Sequence, residues 1–397
     1  MKKLNRRGFI RSGVAGAAAV VAATQGAYAL LPGKDESEII YRTLGKTGIK
    51  VPVVSMGVMR ADNPSLIKAS LENGITHFDT ANGYQGGKNE EMLGEVFKDY
   101  DRDRFILATK VKPAGAERRT GLPTAETTAE DFLQKFEESM SRLKLDYVDI
   151  LYMHSVASVE MANHKDITKA MKNLKKQGRV KFIGISTHSN EPAVIDAMVE
   201  AGFWDVVLTR YNFTLDYLDA LNASLERANR AGIGTVAMKT MAGGFFDRER
   251  TQPINTTAAL KWALSNPNIN TSIPGMTSFE MLEENLKVLV NTDMTEQEKK
   301  DILIAEITPG MFCTNCNNCL NDCKNGLPVP DLMRAYMYAY GYANLEKAHT
   351  LVADLGTGSN PCGSCQECNI ECTKKFDIKT KIADISRISD IPTDFIV

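Results

Sequence analysis

Between residues 40 and 290, short β-branched runs alternate with amphipathic helical runs eight times, and few folds accommodate that many strand–helix units. Strands are expected at Val53–Gly57, Thr76–Thr80, Phe105–Lys110, Val148–His154, Phe182–Ser186, Val206–Tyr211, Gly234–Lys239 and Thr271–Pro274. Helical runs follow at Ser65–Asn73, Glu90–Lys98, Ala129–Leu143, Ile167–Gln177, Pro192–Ala201, Leu218–Ala231, Thr257–Ser265 and Ser278–Leu289. Strands separated by helices pair in parallel, and eight such units in about 250 residues match a closed α/β barrel of the (β/α)8 TIM type. An open doubly wound sheet would carry a Gly-rich turn after its first strand, and Met56-Gly57-Val58-Met59-Arg60 is not such a turn. Ahead of the barrel, Tyr41 to Val51 reads as a small hairpin with Gly45 and Gly48 at its turns.

The segments outside the barrel differ in kind. Residues 1–29 read as a Tat signal peptide: Arg6-Arg7 precedes a short Ala/Gly/Val run from Ser12 to Ala23, and Ala27-Tyr28-Ala29 supplies the small residues of a cleavage site. The expected location is therefore the periplasm, after export in the folded state. The apolar run is too short to span a bilayer, and no later segment is apolar enough, so no transmembrane segment is expected in the mature chain. A linker helix is expected within residues 291–308, because Thr295-Glu296-Gln297-Glu298 has the form of a capping box and Pro309-Gly310 stops the run. All eight cysteines lie after residue 312, which marks residues 309–397 as a separate unit. A net charge of −2 without a basic stripe argues against nucleic acid as a partner.

Reactive residues of a TIM barrel sit at the C-terminal ends of its strands. Asp79 ends the second expected strand, with Tyr84 in the loop beyond. Lys110 ends the third strand and His154 the fourth. Adjacent strands lie about 4.8 Å apart, so these side chains can converge on one pocket. Their chemistry suits proton transfer to a carbonyl oxygen. A phenol is a weak acid at neutral pH, and a nearby Lys110 ammonium would lower its pKa. Asp79 would balance that buried charge, and His154 would orient the substrate oxygen. His77 and His188 have no comparable support and read as packing or loop residues.

The Asp79-Thr80-Ala81-x-x-Tyr84 spacing, the following Asn89-Glu90-Glu91-Met92-Leu93-Gly94, and the strand-ending Lys110 and His154 together resemble the aldo/keto reductase family over residues 40–290. That resemblance implies an oxidoreductase acting on a small-molecule carbonyl or alcohol, with Tyr84 as general acid and NAD or NADP as hydride source. It also implies contacts of the cofactor with Ser186, with the loop from Lys239 through Gly243 and Gly244, with Gly275, and with Glu284 and Asn285. Glycines let backbone N–H groups approach an anion, and a helix starting near Ser278 presents its positive end. Where the family has an asparagine this chain has Thr187. The strand-six glutamine is replaced near Thr209-Arg210, and the positions that grip a 2′-phosphate are Gly275 and Met281. NAD and NADP therefore both stay open.

Cys313-x2-Cys316-x2-Cys319-x3-Cys323 recurs as Cys362-x2-Cys365-x2-Cys368-x3-Cys372. This spacing resembles the ligand runs of two-cluster ferredoxins, in which each fourth cysteine serves the other cluster. The resemblance implies two 4Fe–4S clusters, one on Cys313, Cys316, Cys319 and Cys372, the second on Cys362, Cys365, Cys368 and Cys323. Disulfides and zinc are the competing readings of eight cysteines in an exported chain. Iron–sulfur clusters move single electrons, so they would pass electrons to an electron-transfer partner or a bound cofactor, or would serve structure alone. Export further implies a tightly held nicotinamide. The alternative reading, from another class, is an exported electron-transfer or redox-binding protein that uses the barrel as a scaffold.

Overall fold

The computed structural model describes residues 38–118, 120–307 and 312–396. The expected signal at 1–29 lies outside the described residues. The chain enters through an antiparallel hairpin of β1 (Tyr41–Thr43) and β2 (Lys50–Pro52). Eight parallel strands then form one sheet in sequence order: β3 (Met56–Gly57), β4 (His77–Asp79), β5 (Ile106–Val111), β6 (Val148–Met153), β7 (Val180–Thr187), β8 (Val206–Arg210), β9 (Gly234–Met238) and β10 (Thr271–Ser272). Parallel bridges Val54↔Ser272 and Gly57↔Gly275 join the last strand to the first and close the barrel.

Helices α1 (Pro64–Glu72), α2 (Lys88–Phe97), α3 (Ala129–Leu143), α4 (Val159–Ala162), α5 (Lys165–Lys176), α6 (Glu191–Ala201), α7 (Leu218–Arg230), α8 (Thr256–Ser265) and α9 (Phe279–Val290) accompany the strands. α3 shows how local sequence sets an element. Thr128 caps it by accepting from the Asp131 amide at 3.2 Å. Phe132, Phe136, Met140 and Leu143 then recur at helical spacing and form the buried face. Lys144 ends it in the left-handed region, at φ 56°.

Two expectations shift at the closure. The first strand starts at Met56 rather than Val53, because the Val53 amide donates to Ile40 O at 2.9 Å, beside the hairpin. The last strand contributes only two residues. The short α4 was not expected from sequence, and its four residues are too few to carry a periodic signal.

The barrel interior is filled by Ala108, Ile150, Tyr152, Val206, Leu208, Val236 and Ile273, together with Leu44 and Val51 from the hairpin. Leu44 is fully buried there. A Cβ at Gly234 would stand 2.6 Å from the Leu44 side chain, so this strand position has to be glycine for the plug to seat.

Beyond the barrel, α10 (Glu296–Ile307) begins with the expected capping box. Thr295 N donates to Glu298 at 2.7 Å, and Glu298 N donates back to Thr295 Oγ1 at 3.2 Å. The C-terminal segment is helical: α11 (Val329–Tyr336), a π turn (Met337–Gly341), α12 (Leu345–Leu355) and α13 (Ile378–Ser386). It docks on the loop ends of the barrel strands. Asn315 donates to Ser189 Oγ at 2.9 Å, Lys374 pairs with Asp216 at 2.5 Å, and Arg248 pairs with Asp384 at 2.8 Å. Among the described residues no helix is long and apolar enough to cross a membrane.

If the hairpin plugs the barrel, Leu44→Ala should lower unfolding free energy by about 2–5 kcal/mol. Denaturant titration of that variant measures it, and a loss below about 1 kcal/mol would show that the plug does not support the barrel.

Candidate active site

Neighbouring strand ends place the reactive side chains. β4 and β5 pair in register Asp79↔Ala108, which sets Lys110 two residues further along and on the same face. The Lys110 ammonium donates to Asp79 Oδ1 at 2.5 Å, to Thr80 O at 2.6 Å and to the Tyr84 hydroxyl at 3.3 Å. The Tyr84 and His154 rings meet edge to face, with centroids 6.0 Å apart. The structure thus brings all four sequence-derived residues to one place, in a cleft of about 1240 Å³.

The loop carrying Tyr84 is pinned from outside. Arg142 of α3 donates to Asn82 O at 2.9 Å and reaches Glu90 at 3.4 Å, and Asn82 itself donates to Lys135 O at 2.9 Å. Directly after Tyr84 the backbone turns left-handed at Gln85, Gly86 and Gly87, with φ of 52°, 61° and 96°. Strain of this kind, held by surrounding bonds, is characteristic of functional loops.

Electrostatics refine the expected roles. Burial works against the charge of Lys110, yet the Asp79 carboxylate and the Tyr84 hydroxyl hold it protonated, above the ordinary lysine range. Burial pushes the Tyr84 phenol up, and Lys110 offsets this only in part. The sequence expectation of a lowered phenol pKa is therefore corrected: desolvation outweighs the one nearby cation. The consequence is a hydroxyl that carries its proton at neutral pH. His154 is driven well below its usual value, first by burial and then by Lys110, Lys112, Lys347 and Lys239, and so stands as a neutral imidazole.

The expected cofactor residues Ser186, Lys239, Gly243, Gly244, Gly275, Glu284 and Asn285 all line the same cleft. Ser186 Oγ accepts from the Ser155 amide at 3.0 Å, at the end of β7. Thr187 turns its hydroxyl to Ser189 O at 2.9 Å. A Cβ at Gly243 or Gly244 would meet no atom within 4 Å, so the backbone there faces open space. Ser278 caps α9, accepting from the Met281 amide at 3.3 Å, and leaves the start of that helix beside Gly275 and Thr277 on the cleft wall. Strand ends, open glycine backbone and a helix start are what a dinucleotide requires, and the residues fit one.

Further residues line the cleft. His188 also lines the cleft, with Nε2 3.4 Å from Ser155 Oγ and Nδ1 unpartnered. His77, in contrast, lies within the core against Ser55 Oγ at 3.1 Å. At the strand-six position, Arg210 forms a buried ion pair with Glu191 at 2.7 Å and bonds the Tyr217 hydroxyl. Arg334, Tyr338, Tyr342 and Lys347 come from the C-terminal segment and form part of the wall. Nothing in a linear pattern links them to the strand ends whose cleft they line.

The eight thiols are free and fall into two groups. Cys319 has Cys313, Cys316 and Cys372 as its electrostatic neighbours, and Cys362 has Cys365, Cys323 and Cys368. Burial, then the neighbouring thiols, pushes Cys319 up to about 12. Among the described residues no group of three or more His, Cys, Asp or Glu is arranged to hold a metal ion.

Comparison with known proteins now decides the family. The model for the aldo/keto reductase family matches residues 53–258. This chain belongs to the aldo/keto reductases. It is 26% identical over 306 residues to L-galactose dehydrogenase of Arabidopsis thaliana, covering 67% of this chain and 93% of the relative. It is 25% identical over 322 residues to L-glyceraldehyde 3-phosphate reductase of Escherichia coli (strain K12), covering 66% and 91%. In fold it is similar to an aldo-keto reductase from Bacillus halodurans in its holo form, with a TM-score of 0.56 at 21% identity over 67% of this chain and 96% of that one. An oxidoreductase barrel is thereby established. The family match ends before the cysteines and leaves their role to chemistry.

In this aldo/keto reductase Lys110 and Asp79 should behave as one unit. Asp79→Leu, which leaves a buried ammonium without its carboxylate, should cost about 3–5 kcal/mol, and adding Lys110→Met should recover much of it. Chemical denaturation of the two single variants and the double variant tests this. Additive losses would show that the pair is not coupled.

Proposed function

We propose that the chain reduces a small-molecule carbonyl, and oxidises the corresponding alcohol, with a nicotinamide held across the β7, β9 and β10 strand ends. The observation that carries this reading is the protonated Tyr84 hydroxyl 3.3 Å from a Lys110 ammonium that Asp79 already neutralises. When bound, the nicotinamide supplies or accepts the hydride at the carbonyl carbon. The carbonyl oxygen lies between Tyr84 and His154. Tyr84 gives it a proton as negative charge develops, and Lys110 stabilises the phenolate left behind. His154, neutral, donates an N–H to the same oxygen and fixes its direction. Asp79 stays ionised and keeps Lys110 charged. In the oxidation direction each proton runs backward along the same path.

Two 4Fe–4S clusters on the cysteine groups described above would supply one-electron transfer to a partner. The doubled spacing and the grouping of each fourth cysteine with the other run support them. Export through the Tat pathway to the periplasm is supported by Arg6-Arg7 and the Ala27-Tyr28-Ala29 site, and that route suits a protein loaded with cofactors before it leaves. Soluble nicotinamide is expected to be scarce there, so the cofactor is retained through turnover, with Met241–Phe246 as the clamp.

Tyr84→Phe should lower turnover by about two to four decades while leaving nicotinamide binding nearly intact, as steady-state kinetics and a titration with NAD and NADP will show. Unchanged turnover would contradict the acid role, and affinity for neither nucleotide would favour a scaffold. Protein purified from the periplasm should carry about eight iron and about eight sulfide per chain. Iron-free protein with normal folding and activity would remove the clusters from the reading.

A further inference from the structure

The cleft has a cationic end that the reaction as described does not use. Lys112 lies just past the end of β5 and lines the cleft as Lys110 does, while Val111 between them turns into the core. Facing it are Arg334 from α11 and Lys347 from α12, on either side of the π turn Met337–Gly341. Single π turns tend to occur at functional sites. The turn carries Tyr338, which is almost fully buried and lies in the cleft close enough to Tyr84 for the two hydroxyls to interact electrostatically.

These cations lack full compensation. Arg334 has Asp331 at 3.9 Å and donates to Asn315 Oδ1 at 3.1 Å. Among the described residues neither Lys112 nor Lys347 has a carboxylate within 4.0 Å, although Asp331, Glu346 and Asp354 act on them from further away. Both lysines repel each other and are repelled by Arg334, and Lys112 by Arg118 as well. Lys112 and Lys347 are exposed, so water moderates that repulsion, and an anion meeting the three cations together would gain from all of them. The charges of both lysines also reach the His154 ring.

Arg334 and Lys347 also act electrostatically on Lys239 of the dinucleotide cradle, whereas Lys112 does not. That cradle is built on the loops after β9 and β10, whereas Lys112 follows β5, four strands away from β9 in an eight-stranded ring. Lys112 therefore stands across the barrel mouth from the β9 loop.

We propose that Lys112, Arg334 and Lys347 form an anion subsite shared by the barrel and the C-terminal segment, and that the substrate is a carbonyl compound carrying a carboxylate or a phosphate. The charged end docks on the three cations, Tyr338 covers the intervening carbons, and the carbonyl is left between Tyr84 and His154. This inference rests on the reading of Tyr84 and His154 given above. It also assigns the C-terminal segment a part in substrate selection, separate from electron transfer.

The test uses the full-length, cluster-loaded protein. Isothermal titration with malonate and with inorganic phosphate should show binding of at least one, and the stronger of the two identifies the charged group. Lys112→Gln and Lys347→Gln should each weaken that binding at least about tenfold, the loss expected for one charge-assisted hydrogen bond. Lys347→Arg, which keeps the charge, should retain it and so guards against a folding defect. For matched aldehydes with and without the anionic group, the ratio of kcat/KM should fall in Lys347→Gln and invert in Lys347→Glu. Absence of binding by both anions, or binding equal in wild type and both Gln variants, would overturn the subsite. Anion binding needs no chemistry, so Tyr84→Phe should keep it. If that variant instead turns over carbonyls at the wild-type rate while the Gln variants lose the anion, the acid role fails and the subsite stands.

Discussion

The ion pair between Asp79 and Lys110 is the contact on which the active end of this barrel depends. Both groups are almost wholly withdrawn from water, and Asp79 Oδ2 has no hydrogen-bond partner among the described residues. Desolvating two charges in this way is expensive and offers little net stability. Its worth lies in position. The ammonium that neutralises Asp79 also bonds Thr80 O and the Tyr84 hydroxyl, and the Asn82 amide returns a bond to Lys110 O at 3.0 Å. The pair thereby fixes the loop that carries the phenol. The β4–β5 register and the Arg142 brace on the Tyr84 loop serve that geometry, and the Leu44 plug steadies the barrel that carries it.

Burial then decides how the phenol behaves. A single cation would make Tyr84 a stronger acid if water were present to solvate the phenolate. In the closed cleft the loss of that solvation is the larger effect, so the resting hydroxyl keeps its proton. That is the state an acid needs before carbonyl reduction, and the nearby ammonium acts on the charge that appears afterwards. The C-terminal segment adds to the same logic, because its helices line part of the cleft and bring a further cation, Lys347, to act on His154.

Much of this was legible in the sequence where the signal is local. The long β-branched strands β5 to β8 were readable, as were the capping box at Thr295 and the spacing from Asp79 to Tyr84. The two-residue strands β3 and β10 were drawn too long, because closure is made by isolated bridges and a hairpin bond to Val53, which depend on tertiary approach. The sign of the Tyr84 shift was missed because desolvation sums over every surrounding atom, whereas sequence shows only the charged neighbour. Lys112 could have been found by extending the alternation two residues past Lys110. Arg334 and Lys347 could not, since helix periodicity gives the face of a helix but not what it docks against. His188 does lie in the loop after β7, and only tertiary approach shows that this loop borders the cleft.

The central claim is that hydride passes between a nicotinamide and a carbonyl carbon in the cleft where Tyr84 stands. The most direct measurement is a single anaerobic turnover with nicotinamide deuterated at the transferring position of C4, followed by analysis of the alcohol formed. Hydride transfer predicts one deuterium on the former carbonyl carbon and a primary isotope effect on the rate. Product that carries no deuterium, formed at an unchanged rate, would contradict it and would move the electrons to another route.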